Sequence, residues 1–160
     1  MPHDDIKALA DQIRDIRMAM LVTRDANGQL RARPMATQEV EFDGDLWFFT
    51  AADSDKAREV AEDNRVAVIY ADADSHRYVS VSGVATILED PERARELWTP
   101  TLKMWFAGGV TDRNLRLLRV EVDQAEYWDA PGGAVTQLFG FLKRAVGAGL
   151  ATGMNRTIEF

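Results

Sequence analysis

The sequence predicts a mainly β fold, an antiparallel barrel or curled sheet with a few short helices inserted between its strands. Two observations carry this prediction. At least six apolar or alternating segments have the length of strands, and most are joined by tight turns such as Asn27-Gly28 and Asp43-Gly44. Such turns connect antiparallel strands, whereas parallel strands need long crossovers. The 160 residues are 46% hydrophobic and 28% charged, which is typical of one globular domain and excludes a disordered chain.

The first third of the chain reads as one helix followed by a meander of strands. Apolar residues recur at helical spacing over residues 4–15, which predicts a short opening helix. An apolar strand over 18–23 then leads through the Asn27-Gly28 turn into a return strand over 29–36. After the second turn, a third strand is predicted over 46–50.

The third strand is unusual because Leu46, Trp47, Phe48 and Phe49 are apolar at every position. Side chains alternate between the two faces of a strand, so both faces must be covered. The domain core covers one face. A helix, a ligand or a partner chain is expected to cover the other.

The rest of the domain alternates short helices with strands. Asp53 or Ser54 reads as the N-cap of a helix that ends near Asn64, and Asp90-Pro91 begins a second helix that Pro100 interrupts. Gly83 predicts a bend or bulge inside a long strand. The predicted strands of this part cover residues 66–70, 78–87, 115–122 and 125–128.

The C-terminal segment is less regular. Residues 135–150 carry apolar side chains on one helical stripe, but Gly140, Gly147 and Gly149 weaken a helix there. The expected organisation is therefore a barrel domain over 1–134 and a helical tail over 135–160, docked or frayed.

Charge and composition exclude several function classes. Nineteen Lys and Arg against 26 Asp and Glu give a net charge of −7, which argues against nonspecific nucleic-acid binding. The chain has no cysteine and only two histidines, so thiol chemistry is excluded and a multi-histidine metal site is not expected. No segment resembles a secretory signal or a membrane span, and a cytoplasmic location is expected.

Three short segments together suggest a site for an anion. Arg33 lies near the end of a predicted strand, and Ser54 and Lys56 lie at the predicted start of a helix. A helix N-terminus offers unpaired N–H groups and the positive end of a dipole. A hydroxyl, an ammonium and a guanidinium beside it would suit a phosphate group.

A family resemblance covers about two thirds of the chain. The sequence from Met20 to Trp128 resembles the pyridoxamine 5′-phosphate oxidase-like, FMN-binding split-barrel superfamily, and most closely its general-stress-protein-26-like branch. The resemblance rests on the segments Arg33–Glu39, Asp43–Thr50, Arg77–Gly83, Trp98–Gly109 and Glu126–Asp129.

The resemblance implies a six-stranded split barrel that forms a homodimer with two flavin sites at the subunit interface. Arg33, Ser54 and Lys56 would hold the FMN phosphate. The backbone of Pro34, Met35, Ala36 and Thr37 would run along the isoalloxazine ring and ribityl chain, Phe49 and Thr50 would line the ring, and Trp105 and Trp128 would approach it from the partner chain.

The sequence departs from the oxidases at three places, which leaves the reaction open. Asp55 replaces one residue of a basic pair, Gln38 replaces a lysine that serves the substrate phosphate, and residues 129–133 lack the arginine and histidine that grip the pyridoxal ring. The leading expectation is a flavin-binding, general-stress-type protein, a flavin-dependent oxidoreductase acting on a small substrate, with FMN as cofactor and FAD or F420 as alternatives. The other expectations are an F420-dependent reductase, a pyridoxamine 5′-phosphate oxidase, or a non-enzymatic flavin-storage dimer.

Overall fold

A computed structural model describes residues 3–129 and 155–160, which form one antiparallel sheet with three short helices. In the described part of the chain, no helix is long and apolar enough to cross a membrane; cytoplasmic localisation stays a prediction. Short 3₁₀ turns cover Pro100–Met104 and Gly109–Thr111. The helices are α1 (His3–Ile13), α2 (Asp55–Glu62) and α3 (Pro91–Leu97), and the strands are β1 (Met18–Arg24), β2 (Leu30–Ala36), β3 (Asp45–Ala51), β4 (Arg65–Asp72), β5 (Arg77–Leu88), β6 (Leu115–Asp129) and β7 (Asn155–Glu159).

The sheet follows the order β2-β1-β4-β5-β6-β3, and β7 adds to β6. The described residues therefore form seven strands rather than the expected six. The two predicted strands over 115–122 and 125–128 are one continuous strand, and β7 was not predicted. β2 and β3 are the two ends of the path, and they contact each other without pairing in the described sheet.

Local signals that were read from the sequence account for several boundaries. Gly28 adopts a φ of 78°, as the turn between β1 and β2 requires. The Asp90 carboxylate accepts a hydrogen bond from the Arg93 backbone N–H at 3.1 Å and caps α3. The register of β5 against β6 shifts between Ser82 and Gly83, since Ser82 lies opposite Gln124 and Gly83 opposite Val122. The irregularity lies at Gly83, as predicted, but the extra residue, Asp123, belongs to β6.

β3 is covered on both faces by its own chain. Leu46 and Phe48 belong to the main core between the sheet and α1. Phe49 packs in a second apolar cluster with Leu97 of α3, and its ring meets the ring of Trp98 edge to face at 5.8 Å. A helix thus provides the second cover that the sequence required, and the apolar character of this strand needs no partner chain.

α1 is fastened to the sheet at its C-terminal end. Arg77 at the start of β5 donates hydrogen bonds to the backbone oxygens of Asp11, Gln12 and Arg14 at 3.0–3.3 Å. Asp72 holds this arginine through a 3.0 Å ion pair. These bonds satisfy carbonyl groups that the end of a helix leaves without partners.

The last residues pack against the barrel. The Phe160 backbone N–H donates to the Asp123 oxygen at 2.6 Å, and Ile158 is buried. Residues 155–159 form a strand where a helical tail was expected, because their backbone pairs with the exposed edge of β6. The helix predicted over 135–150 lies outside the described residues.

Candidate functional site

Arg33 lies on β2, and its guanidinium is already held by protein atoms. Nη1 donates to the Thr23 hydroxyl at 2.6 Å and to the Leu21 oxygen at 3.4 Å, while Nη2 donates to the Glu59 carboxylate at 2.8 Å. Glu59 is a buried acid of α2. The arginine that the sequence assigned to a phosphate is therefore also part of an ion pair between a strand and a helix.

Lys56 in the first turn of α2 forms no hydrogen bond or ion pair with the residues that the structure describes. Its side chain is half-buried. Burial lowers the pKa of the Lys56 ammonium, the nearby Arg33 charge lowers it further, and Asp55 partly opposes both effects. The structure thus brings the two predicted cations together, and Lys56 has no ion-pair partner among the described residues.

Ser54 caps α2, as predicted. Its Oγ accepts a hydrogen bond from the Ala57 N–H at 3.3 Å and donates to the Ala51 oxygen at 2.8 Å. The Thr50 hydroxyl lies 3.1 Å from the same Oγ. Thr50 and Ser54 therefore form one hydroxyl pair at the helix start, next to Lys56 in the chain.

The segment from Pro34 to Thr37 lies on an edge strand. β2 pairs only with β1 among the described strands, so its other edge is available for backbone contacts. The Met35 side chain is buried in the core, and Thr37 is fixed by a hydrogen bond from its hydroxyl to the Ile16 oxygen at 2.6 Å. The Met35 and Thr37 side chains are thus occupied within the protein, whereas Pro34 and Ala36 are exposed on the free edge strand.

The three aromatic candidates are placed differently. The Phe49 ring is buried in the second apolar cluster, so its side chain is not exposed to a ligand. Trp105 is 76% exposed at the end of a 3₁₀ turn. Trp128 is half-buried on β6, opposite Tyr78 of β5. Among the described residues, no hydrogen bond or cation–π contact joins either tryptophan to Arg33 or Lys56.

Sequence reasoning missed Glu59 and Thr23, the two groups that hold Arg33. Thr23 follows Ala19 and Leu21 in the inward-facing phase of β1, so alternation alone placed it inside. Glu59 stands between two buried residues of α2, Ala57 and Val60. A charged side chain in such a position requires a partner, but nothing in the sequence identifies Arg33 as that partner.

The outer face of the β1–β2 hairpin is apolar and exposed. Met18, Met20 and Leu30 are 52%, 39% and 71% exposed. In the register of the hairpin, Met20 lies opposite Pro34 and Met18 lies opposite Ala36. The outer face therefore continues directly into the segment that the resemblance assigns to the flavin.

Comparison with known proteins identifies the family. The model for proteins described as "Pyridoxamine 5′-phosphate oxidase like" matches residues 4–150. The chain belongs to this family. A structure from Clostridium acetobutylicum, of a protein related to general stress protein 26 of B. subtilis (pyridoxinephosphate oxidase family), aligns with a TM-score of 0.72 at 14% identity over 100% of this chain and 97% of that one. At that identity the match establishes the fold alone, and it confirms the predicted split-barrel class.

Two relatives are more similar in sequence to this pyridoxamine 5′-phosphate oxidase-like chain. The general stress FMN/FAD binding protein of Xanthomonas citri is 28% identical, with a TM-score of 0.69, over 84% of this chain and 94% of that one. Protein bli-3 of Neurospora crassa is 30% identical over 132 residues, which are 76% of this chain and 63% of the fungal protein. The chain thus spans less than two thirds of that curated relative.

Proposed function

We propose that this chain binds a flavin, with FMN as the preferred cofactor. We propose further that it acts as a flavin-dependent oxidoreductase of the general-stress type on a small substrate. The observation that carries the proposal is the half-buried Lys56 ammonium, which lies near Arg33 and has no partner among the described residues. Membership of the family and the similarity to the Xanthomonas citri FMN/FAD binding protein support the choice of ligand.

The residues at the start of α2 fit a phosphate monoester. Two neighbouring cations destabilise each other in a partly buried position, and a bound anion removes that cost. The Ser54 hydroxyl would turn from the Ala51 oxygen to the phosphate, and the first turn of α2 adds backbone N–H groups and the positive end of the helix dipole. In this proposal Lys56, Arg33 and Ser54 hold the phosphate, and the exposed edge of β2 from Pro34 to Thr37 follows the rest of the cofactor.

The flavin itself would supply the hydride and electron transfer, while the protein binds and orients it. Thr50 would support the site through its contact with Ser54, at 3.1 Å between the two oxygens. Phe49 would support the site indirectly, because its buried ring packs β3 against the second apolar cluster.

We also propose that the chain forms a homodimer through the exposed outer face of β1 and β2. Exposed apolar side chains on a sheet face next to the proposed site favour burial against a second copy. Trp105 and Trp128 would then approach the flavin of the partner.

Met20→Lys should shift the protein towards monomer in light scattering at micromolar concentration. A wild-type protein that is a folded monomer at that concentration would contradict the dimer.

The first experiment on function is the visible absorbance spectrum of the purified protein, with mass spectrometry of any small molecule that heat releases. FMN or FAD is expected. A protein that is colourless and does not bind added FMN would overturn the flavin proposal. F420 would then be titrated instead of FMN.

The second experiment compares the affinities for FMN and riboflavin, and so separates the contribution of the phosphate to binding from that of the ring. Lys56→Ala should weaken FMN binding about tenfold, near 1.5 kcal/mol, the lower end of the range for a charge-assisted contact because the site is partly exposed. Riboflavin binding should not change. Lys7→Ala, the same change at an exposed lysine of α1, is the matched control, and equal FMN affinity in both variants would contradict the site.

Turnover is tested by mixing the flavin-loaded protein with reduced nicotinamide under air. Reduction and reoxidation of the bound flavin would support the oxidoreductase. A bound flavin that reduced nicotinamide does not reduce would favour a storage dimer. Pyridoxamine 5′-phosphate is assayed in parallel as the oxidase alternative.

A further inference from the structure

We infer that Glu59 is a positioning residue for the proposed phosphate site, and that it acts by holding the Arg33 guanidinium through a closed hydrogen-bonded triangle with Thr23. This inference rests on the proposed function. It concerns two residues that contact neither the flavin nor the phosphate in the proposal, and it explains why an acid lies buried beside a site for an anion.

Glu59 is buried, with only 7% of its surface exposed. A buried carboxylate is costly unless it is paired and hydrogen-bonded. One oxygen of Glu59 accepts from Arg33 Nη2 at 2.8 Å and from the Thr23 hydroxyl at 2.5 Å, and the other lies 3.8 Å from the exposed Arg31. The Glu59 carboxylate therefore has its hydrogen bonds with Arg33 and Thr23.

The hydrogen bonds among Arg33, Thr23 and Glu59 form a closed triangle. Thr23 Oγ1 accepts from Arg33 Nη1 at 2.6 Å and donates to the same Glu59 oxygen that Nη2 contacts. Both terminal nitrogens of the guanidinium are thus bound to a frame made of one β1 residue and one α2 residue. Because a guanidinium is planar, two such bonds determine the orientation of the whole group.

The Arg33 guanidinium keeps N–H donors that the protein does not use. A guanidinium has five N–H groups, and the bonds to Leu21, Thr23 and Glu59 use three of them. The other two, one on Nε and one on Nη2, form the side fork that suits two oxygens of a phosphate. Glu59 and Thr23 would therefore occupy the end of the guanidinium and leave its side for the ligand.

The Arg33 and Lys56 charges have the same sign, and they lie close enough for the Arg33 charge to lower the Lys56 pKa. The Glu59 carboxylate cancels one of the two charges on the protein side. Arg33 can then stay beside Lys56 in the ligand-free protein without swinging into solvent.

The test measures the phosphate preference, defined as the Kd of riboflavin divided by the Kd of FMN, for the full chain. Glu59→Ala should lower this preference by about three- to tenfold, because FMN must then immobilise a free arginine side chain when it binds. Glu59→Gln should recover part of the lost preference, since its amide oxygen still accepts a hydrogen bond from Arg33 although it carries no charge. Glu62→Ala, on the exposed end of the same helix, is the control and should leave the preference unchanged.

A second pair of variants shows whether the effect passes through Arg33. In an Arg33→Ala background, Glu59→Ala should change the preference no further, whereas a general loosening of α2 would lower it again. Thr23→Val keeps the shape of the side chain and removes the hydroxyl, and it should lower the preference in the same direction. It also carries the test if Glu59→Ala does not fold.

The outcomes distinguish the two proposals. If the wild-type protein prefers FMN to riboflavin but Glu59→Ala and Thr23→Val keep that preference, the positioning role is wrong and the flavin site stands. An equal loss in the presence and absence of Arg33 also overturns the positioning role. If the wild-type protein shows no preference for FMN, the phosphate site and this inference fail together.

Discussion

The close approach of β5 to the bulged part of β6 provides a quantitative test of the fold, through the variant Gly83→Ala. A Cβ atom at position 83 would lie 2.3 Å from the backbone oxygen of Glu121 and 3.0 Å from Cγ1 of Val120. The obstacle is a backbone atom of the neighbouring strand β6, so it cannot move aside like the end of a flexible side chain. To reach 3.0 Å, the Glu121 oxygen must shift by about 0.7 Å.

Overpacking costs about 1–3 kcal/mol, and a weakened ladder hydrogen bond adds about 0.5–1.5 kcal/mol. The reduced flexibility of the unfolded chain offsets about 0.4–1 kcal/mol of this. These terms combine to about 0.5–4 kcal/mol, so Gly83→Ala should lower the free energy of unfolding by about 2 kcal/mol, which corresponds to a Tm lower by roughly 4–8 °C for a chain of this size.

The assay is urea unfolding followed by tryptophan fluorescence and by circular dichroism, at one protein concentration so that any dimer contributes equally. Ser82→Ala is the matched control, because it changes the adjacent residue by removing an atom and should stay within about 0.5 kcal/mol of wild type. If Gly83→Ala also unfolds within about 0.5 kcal/mol of wild type, the close approach of the two strands is wrong.

Three further predictions concern the core, the α2 cap and the acid end of the pH range. Leu118→Ala removes a fully buried side chain of β6 and should lower the free energy of unfolding by about 2–5 kcal/mol in the same urea assay; a loss below about 1 kcal/mol would mean that the core is not packed as described. Ser54→Ala should cost about 0.5–2 kcal/mol, because α2 loses its cap, and circular dichroism and urea unfolding of the variant check this. Hydrogen bonds from Ser75 and Arg77 lower the pKa of Asp72 from 3.8 to about 2, so its stabilising effect is present above pH 4 and is lost as the pH falls towards 2. Asp72→Asn should therefore be less stable than wild type near neutral pH, and urea unfolding at a series of pH values should find that the difference disappears between pH 4 and pH 2.

Interactions between residues close in the chain were predictable. The Asn27-Gly28 turn, the Ser54 cap and the Asp90 cap depend on backbone geometry within about four residues, and each lies where its sequence signal placed it. The irregularity at Gly83 was also marked locally, by a lone glycine in a strand, although the extra residue lies in β6. These signals were enough for the fold class, and Arg33, Ser54 and Lys56 could be assigned to one site with the help of the family resemblance.

The tertiary structure alone decided which distant groups meet. The sequence required a second cover for β3, but only the packing of α3 and Trp98 against Phe49 identified it as part of the same chain. Arg33 is joined to Thr23 and Glu59, ten and 26 residues away in the chain. β7 pairs with β6 although no local pattern distinguished it. A side chain's type determines that it needs a partner, because burying an unpaired charge or leaving an apolar face in water is costly, but which partner it finds depends on how the whole chain folds.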